Sequence, residues 1–495
     1  MTHVVIRCDA SAEGGIGHLV RALSVADAAQ AAGHTAVVAG SIRSPLARRL
    51  LREAGLETVG APADLEVLAA EQGASVVHVD DYAIGDDALA QARACGALLS
   101  SMEDGAYGRR PADVVVDSTL RAERTERPAD GSGAVLRGIA YAPMRAQVLA
   151  ARERRAARTE EVGAEARVLI VMGGTDAMGA AGTVAAVCAA ADGIGRISVI
   201  SPEQNWEAVR AEAGDDVELL APSPEFLDRA CAADLVVSAS GTTAWELTCI
   251  GVPSLLVAVV ENQRAGYEAA IAEGIARGLG SLSEVRDRPR DAVARVEAAV
   301  ADLRSGRSWA PVGRAKVDGH GAARIVSAWE EALAQRIGEA GSPVVARPAT
   351  TGDSSLLMRW RNDPATREVS RTSDPVTWSG HTGWYERALA DPARELYVAQ
   401  RGSRPVGTVR FDEVTAAEWE VSITLAPEAR GHGLARPVLA AGEAAFARRH
   451  PGVTLIAAVL PGNAPSQRLF ARAGYLRDPH REDGDFDVLV RRDPS

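Results

Sequence analysis

Residues 238–263 read SASGTTAWELTCIGVPSLLVAVVENQ, and the order of residue types in this stretch sets the fold. The run Leu235–Ser238 reads as a short buried strand. Ser240, Gly241, Thr242 and Thr243 follow where that strand ends and a helix begins. Beyond Gly251 and Pro253, Ser254–Val260 reads as a second buried strand. Two strands separated by a helix call for a crossover, which joins parallel neighbours. The N–H groups and hydroxyls of Ser240–Thr243 suit a pyrophosphate, and the field of the helix start favours negative charge there. Glu246, one turn on, is placed to accept hydrogen bonds from ribose hydroxyls. It is equally placed to close a capping box with Thr243, which needs no ligand. The second strand delivers Glu261, Asn262 and Gln263 to the same edge.

The same order recurs at the start of the chain. His3–Cys8 reads as a strand, and Cys8–Arg21 (CDASAEGGIGHLVR) is a glycine turn that brings His18 to the first residues of a helix. An imidazole at a helix start beside an anion site is suited to moving protons near neutral pH, although a lone histidine there also serves as a packing residue. Arg7, Asp9, Gly15, Gly17 and Arg21 surround it in sequence. Two further strand ends carry polar residues: Val79–Asp80–Asp81–Tyr82, and Val171–Asp176 with Gly173 and Gly174. Open parallel sheets bind ligands at that edge.

Outward from these motifs, short apolar runs alternate with alanine-rich helical stretches. Thr35–Ala39, Ser75–Val79 and Val114–Val116 belong to one series; Arg167–Met172, Arg196–Ile200 and Val217–Leu220 belong to another. The pattern predicts an α/β chain of two Rossmann-like halves, 1–155 and 156–340, facing each other across a cleft. The Arg-, Glu- and Ala-rich segment 150–166 forms a helix and connector between them. After a helical stretch at 321–336 the pattern changes. Leu396–Gln400, Pro405–Phe411 and Glu418–Leu425 run close together and precede a helix at 434–450, which predicts a separate α+β domain over 344–495.

At 495 residues the chain is too long for one ordinary core, and 47% hydrophobic with 24% charged residues is globular composition. A formal net charge of −12 argues against nucleic acid or an anionic membrane as the main partner. Five cysteines without paired spacing indicate neither a disulfide framework nor a zinc site. The most apolar segment, 247–260, is too short to span a bilayer. A reduced cytoplasm is the expected compartment.

The chain up to Gln335 resembles the UDP-sugar hydrolase of pseudaminic acid biosynthesis. The resemblance is carried by Arg7-x-Asp9, G-x-G-H at Gly15–His18 with Arg21, Asp80-x-Tyr82, Tyr141-x-x-x-Arg145 and Gly173-Gly174-x-Asp176. It continues through G-T-T-x-W-E at Gly241–Glu246, Gly251-x-Pro253, Asn262-Gln263 and Asp318-Gly319. It implies a glycosyltransferase-B-like fold, UDP held against the second half, and His18 activating water for attack at the anomeric carbon without metal. Asp81 stands where that family often has His, and Ser118–Thr119 replaces a more amide-rich segment; both bear on the sugar. Asp9 and Asp80 are alternative residues to orient the ring or the water. Arg7, Arg21 and Arg145 are candidates for the charge on the diphosphate or for sugar carbonyls.

The last third carries a second resemblance. Arg430–Ala435 (RGHGLA) fits R-x-x-G-x-A at a helix start, and N-x-x-S-x-x-x-F-x-x-x-G-Y runs from Asn463 to Tyr475. Val344–Val490 is thereby similar to the GNAT acetyltransferases. The resemblance implies coenzyme A pyrophosphate on Arg430, Gly431, His432, Gly433, Leu434 and Ala435, with Asn463 nearby, and backbone at Ile423–Leu425 holding the thioester carbonyl. Glu420 is the candidate base, with an ordinary exposed strand carboxylate as the alternative. Phe470 occupies the position where many members place a thiolate-protonating tyrosine. The opening segment Trp360-Arg361-Asn362, with His381 and Trp384, looks most like the branch that N-acetylates the 4-amino group of a UDP-linked amino sugar. His381 is a candidate for substrate contact or for a helix cap.

These resemblances together imply a bifunctional enzyme. It would use acetyl-CoA to N-acetylate a UDP-linked deoxyamino sugar and would hydrolyse UDP-2,4-diacetamido-2,4,6-trideoxy-altropyranose to sugar and UDP. A UDP-sugar glycosyltransferase fused to an acetyltransferase of another amine is the alternative enzyme. A nucleotide-sensing module is the non-catalytic one.

Overall fold

The computed structural model describes residues 2–10, 16–158, 160–174, 176–223, 225–336, 342–481 and 483–492. The first sheet has seven parallel strands, in spatial order Thr58–Val59, Thr35–Ala39, His3–Arg7, Val76–Val79, Leu98–Glu103, Val114–Asp117 and Ala134–Arg137. The second has six, in the order Glu218–Leu220, Ile194–Ile200, Ala166–Val171, Leu235–Ala239, Ser254–Ala258 and Arg277–Ser281. Alternate side chains enter opposite cores: Val4 and Ile6 lie in one, Val5 in the other. Burial on both faces is why these strands read as unbroken apolar runs.

In both sheets the chain starts centrally, steps outward one way, then returns to the other side of its first strand. The strand order thus reverses between His3–Arg7 and Val76–Val79, and again between Ala166–Val171 and Leu235–Ala239. Ligand crevices form beyond the carboxyl ends of strands at such reversals. Two Rossmann-like halves of this kind, facing across a cleft, make the N-terminal two-thirds glycosyltransferase-B-like.

Three differences from the sequence reading have physical causes. Leu98–Glu103 (LLSSME) has no β-branched residue, yet it is buried throughout between valine-rich strands that supply its pairing. The connecting helix begins earlier than expected, at Ala146–Ala156. Helix Gly321–Gln335 crosses back to the first half, where Ile325, Val326, Trp329 and Leu333 complete that core. Its apolar face, not its place in sequence, selects the partner.

The C-terminal domain is a mixed seven-stranded sheet. Arg394–Arg401, Arg404–Thr415 and Glu418–Leu425 form an antiparallel meander. Glu418–Leu425 then pairs in parallel with Thr454–Val459, but only from Glu418 to Glu420. Beyond Glu420 the two strands part. Helix Ala435–Ala447 packs on the sheet through Val438, Leu439 and Phe446, the last stacked on Phe411 with centroids 4.1 Å apart.

This domain docks on the first half through helix Ser354–Asn362, which lies on helix Leu65–Gln72. Arg359 is fully buried there; its Nε donates to the Cys95 carbonyl (2.7 Å) and its Nη2 to Glu428 Oε1 (2.8 Å). Asn362 Nδ2 donates to the carbonyls of Ala70 (3.1 Å) and Glu71 (2.9 Å). Gly73 has φ +66°, and a Cβ on it would stand 2.2 Å from the Asp363 nitrogen, so two independent constraints require glycine. No described helix is long and apolar enough to cross a membrane.

Candidate active site

His18 sits in the first turn of helix Gly17–Ala31, whose start carries no side-chain cap. Its Nδ1 lies 2.6 Å from Asp80 Oδ1. Asp80 follows strand Val76–Val79 and its side chain is fully buried. Arg21, one turn after His18, forks onto that carboxylate: Nε donates to Oδ2 (2.8 Å) and Nη2 to Oδ1 (2.6 Å). Its Nη1 donates to both oxygens of Asp104, at 2.7 and 2.8 Å. Tyr82 closes the group, its hydroxyl donating to Asp104 and its ring set edge-on to His18 with centroids 4.7 Å apart.

Burial alone would raise the Asp80 carboxyl. The Arg21 charge and the bonds from His18 and Arg21 outweigh it and hold Asp80 well below the usual carboxylate range. Nδ1 meets both Asp80 Oδ1 (2.6 Å), which can only accept, and Arg21 Nη2 (3.1 Å), which can only donate. The shorter contact and the use of Nη2 on Asp80 Oδ1 (2.6 Å) place the imidazole proton on Nδ1 and leave Nε2 as the basic nitrogen. Nε2 has no hydrogen-bond partner among the described residues. The side chain is 25% exposed, enough for water to reach it. Burial, then the Asp104 charge, push the Tyr82 phenol above its ordinary range, so it stays a donor.

The opposite wall is the start of helix Thr242–Ile250. Gly241 precedes it without a side-chain cap, leaving the Thr242 and Thr243 N–H groups free, while the Ala244 N–H donates to the Gly241 carbonyl (3.0 Å). Ser240 is 5% exposed, yet its hydroxyl is buried without a partner. An orphaned hydroxyl beside free helix-start N–H groups is a donor set that an anionic oxygen would complete. Across the cleft, a Cβ on Gly17 would stand 3.3 Å from Thr242 Oγ1, and one on Gly174 would stand 3.0 Å from Ile16 Cδ1. The two helix starts therefore face each other at close range over a cleft of about 580 Å³.

Glu246 does not close a capping box with Thr243. Arg145, at the start of helix Ala146–Ala156, donates to its Oε1 from Nε (3.1 Å) and Nη2 (2.7 Å). Glu246, Thr243, Asn262 and Gln263 all reach the cleft wall, as do Gly173 and Gly174. Arg7 and Asp9 do not. Arg7 Nη1 bonds Asp9 (2.7 Å) and its Nη2 pairs with Asp81 (3.1 Å), which leaves Asp80 alone under the imidazole. Tyr141 packs against the first-half core instead of the cleft. Gly15 lies outside the described residues. Arg21 and Arg145 are already matched by carboxylates, and Ser240 N and Gly241 N donate to the Val257 and Ala239 carbonyls (2.9 Å each). The uncompensated donors for an anion are therefore the Thr242 and Thr243 N–H groups and the hydroxyls of Ser240, Thr242 and Thr243. Asp176 caps helix Ala180–Ala189, accepting from Ala180 N at 2.8 Å.

Asp104 was absent from the sequence reading because its strand was. The available signal was a carboxylate ending an apolar run, LLSSMED, between two helices. Tyr107 and Met144 also line the cleft and had no local signature, whereas Trp245, which lines it too, is the tryptophan of G-T-T-x-W-E.

In the C-terminal domain, Gly431 (φ +80°) and Gly433 (φ +71°) hold a turn with open space at both Cβ positions. Helix Ala435–Ala447 follows with Leu434 before it and no side-chain cap. Arg430 turns away from this mouth, donating to Asp363 (2.7 Å) and Thr366 (2.6 Å); His432 is exposed on it. Ile423 and Leu425 lie in the stretch where the strands have parted. Asn463 uses its side chain to cap helix Ala464–Arg472, accepting from Ser466 N at 3.2 Å. Glu420, at the last paired position, is held by Arg371 Nη2 at 3.0 Å. Phe470 is buried against Tyr475. His381 is buried, donates Nε2–H to the Ser354 carbonyl (2.9 Å) and stacks on Tyr385, a structural placement and not a substrate contact.

The fold and its two mouths define a glycosyltransferase-B-like unit joined to a GNAT acetyltransferase domain. Residues 344–476 match the family model described as acetyltransferase (GNAT) domain. Over 438 residues the chain is 21% identical to the uncharacterized protein MJ1062 of Methanocaldococcus jannaschii, covering 85% of this chain and 86% of that one. MurG of Acinetobacter baumannii is similar over 67% of this chain and 100% of its own, at 16% identity and TM-score 0.48. The N-acetyltransferase PseH of Campylobacter jejuni is similar over 30% of this chain and 98% of its own, at 15% identity and TM-score 0.24. Among the described residues, no group of three or more His, Cys, Asp or Glu is arranged to hold a metal ion.

Proposed function

We propose that the chain is a two-activity nucleotide-sugar enzyme. Its C-terminal domain N-acetylates the 4-amino group of a UDP-linked deoxyamino sugar with acetyl-CoA, and its cleft hydrolyses the resulting UDP-2,4-diacetamido-2,4,6-trideoxy-altropyranose to free sugar and UDP. The observation that carries this reading is the His18–Asp80–Arg21–Asp104 network facing the uncapped helix start at Ser240–Thr243.

In hydrolysis, water attacks the anomeric carbon, the bond from that carbon to the β-phosphate oxygen breaks, and UDP leaves as an anion. His18 Nε2 takes the water proton and later returns it to solvent. The Asp80 carboxylate, bonded to Nδ1, keeps the ring oriented and faces the charge that develops on it as water attacks. The Thr242 and Thr243 N–H groups, with the hydroxyls of Ser240, Thr242 and Thr243, hold the diphosphate where its charge develops.

In acetyl transfer the ammonium of the acceptor loses two protons, one to the departing thiolate and one to solvent. The sulfur–acyl bond breaks as the nitrogen–acyl bond forms. Glu420 stands where the strands begin to part and is the residue assigned to the second proton. The open turn at Gly431–Gly433 and the uncapped helix start fit the coenzyme A pyrophosphate.

Supplying UDP-4-amino-4,6-dideoxy-N-acetylaltrosamine with and without acetyl-CoA, and following free CoA and free UDP separately, tests the reading. CoA release should require the amine, and UDP release should be faster after acetylation. The glycosyltransferase-B-like architecture is also that of a sugar transferase. UDP release that waits for an added sugar or lipid acceptor would establish that reading instead.

A further inference from the structure

We infer that the acetylated nucleotide sugar passes between the two sites through bulk solvent, as a free intermediate that any molecule's cleft can take up. The inference rests on the two-activity reading, but the observations behind it concern only where the sites lie.

The acetyltransferase domain is anchored at the amino-terminal ends of the first-half strands. Arg359 Nε bonds the Cys95 carbonyl, three residues before strand Leu98–Glu103, and Arg359 Nη1 reaches Ser75 Oγ (3.4 Å), just before strand Val76–Val79. The cleft opens at the opposite, carboxyl-terminal ends of the same strands, where Asp80 and Asp104 stand. From Ser75 to Asp80 the chain climbs about 17 Å at the rise of an extended strand. The half between the two ends is solid: Val76, Val77 and Val79 are fully buried, and so are Leu98 and Leu99.

No described residue of 342–492 lines the cleft, whose wall ends in sequence at Gly266. The coenzyme turn lies at the anchor itself, because Glu428, two residues before Arg430, is the carboxylate that Arg359 holds. Arg430 itself is tied to Asp363, which sits against Gly73 at the same anchor. The rigid dock therefore keeps the acetyltransferase at the foot of the first half and the hydrolytic cleft at its head. Covalent fusion raises transfer between sites only where geometry lets the ligand engage both, and here the same dock that joins the domains holds their mouths apart.

Isotope dilution with the intact wild-type chain tests this. The amine substrate is given acetyl-CoA labelled in its acetyl group, together with a tenfold excess of unlabelled acetylated nucleotide sugar, and early label in the free sugar is measured. Transit through solvent predicts about a tenfold fall in that label, and a lag in UDP release when the pool is omitted. Label that stays undiminished, with no lag, overturns the inference while leaving both activities standing. CoA release and UDP release from the unlabelled pool are read in the same tubes. Loss of either one overturns the two-activity reading, and this inference with it.

Discussion

His18 on the first half and Glu420 on the acetyltransferase domain are held in opposite ways. Asp80, Arg21 and Asp104 lie beneath the imidazole and leave it one nitrogen facing the cleft. Glu420 is gripped from outside by Arg371, a loop residue 48% exposed that also pairs with Asp483. A buried, mutually bonded network fixes orientation because every alternative strands a charge in low dielectric. An ion pair open to water fixes little, since water replaces either partner at a cost of at most about 1 kcal/mol. Folding alone thus sets the geometry of the first site, whereas the second depends on a surface contact.

The largest test of that contrast is Asp80→Asn. The amide no longer forces the proton onto Nδ1, so kcat for UDP release should fall by about 10⁴-fold while CoA release is unchanged. A loss below tenfold would make the network structural only. Arg359→Ala removes a cation with no exposed surface, leaving Glu428 and the Cys95 carbonyl without their partner. Urea unfolding should show a loss of about 3 kcal/mol. Arg371→Ala, its exposed counterpart, should cost less than about 1 kcal/mol in the same assay. Equal losses would erase the distinction.

At the second site, Glu420→Gln should slow CoA release by about 100-fold and leave UDP release from the acetylated substrate intact. A further effect is on stability against pH. Burial pushes the His78 imidazole down to about 4, against minor opposing influence from Asp80. Between its ordinary value near 6.5 and 4, the unfolded chain binds a proton that the folded chain refuses, so stability falls as pH drops through that window. From pH 6.5 to 5 the loss is about 2 kcal/mol, and His3, also pushed down to about 4 by burial, acts with the same sign. The gap between urea midpoints at pH 7 and pH 5 should narrow in His78→Asn, with the His3 share remaining. An unchanged slope would show that the titration lies elsewhere.

Much of the architecture was legible because valine-rich strands buried on both faces leave an unbroken signature, as at His3–Arg7 and Leu235–Ala239. Leu98–Glu103 was not, because its strand state comes from its neighbours, and Asp104 was lost with it. Within the site, sequence brought His18 to a helix start but left Asp9 and Asp80 as equal partners. Arg7 decides between them by taking Asp9. Glu246 offered a capping box and a ribose contact, and the structure adds a third demand on it, Arg145. His381 was legible only as a polar residue on a helix, since its burial against Tyr385 depends on packing.

The sequence by itself determined where strands stop, where glycine turns feed helix starts, and that the pattern changes after Gln335. Those features are set by backbone preferences and by hydrophobic periods a few residues long. Only the tertiary structure decided that His18 meets Asp80, 62 residues away, that Arg145 meets Glu246, 101 residues away, and that the acetyltransferase sits at the foot of the first half. Such pairings exist only once packed layers have excluded water and left each charge a single neighbour.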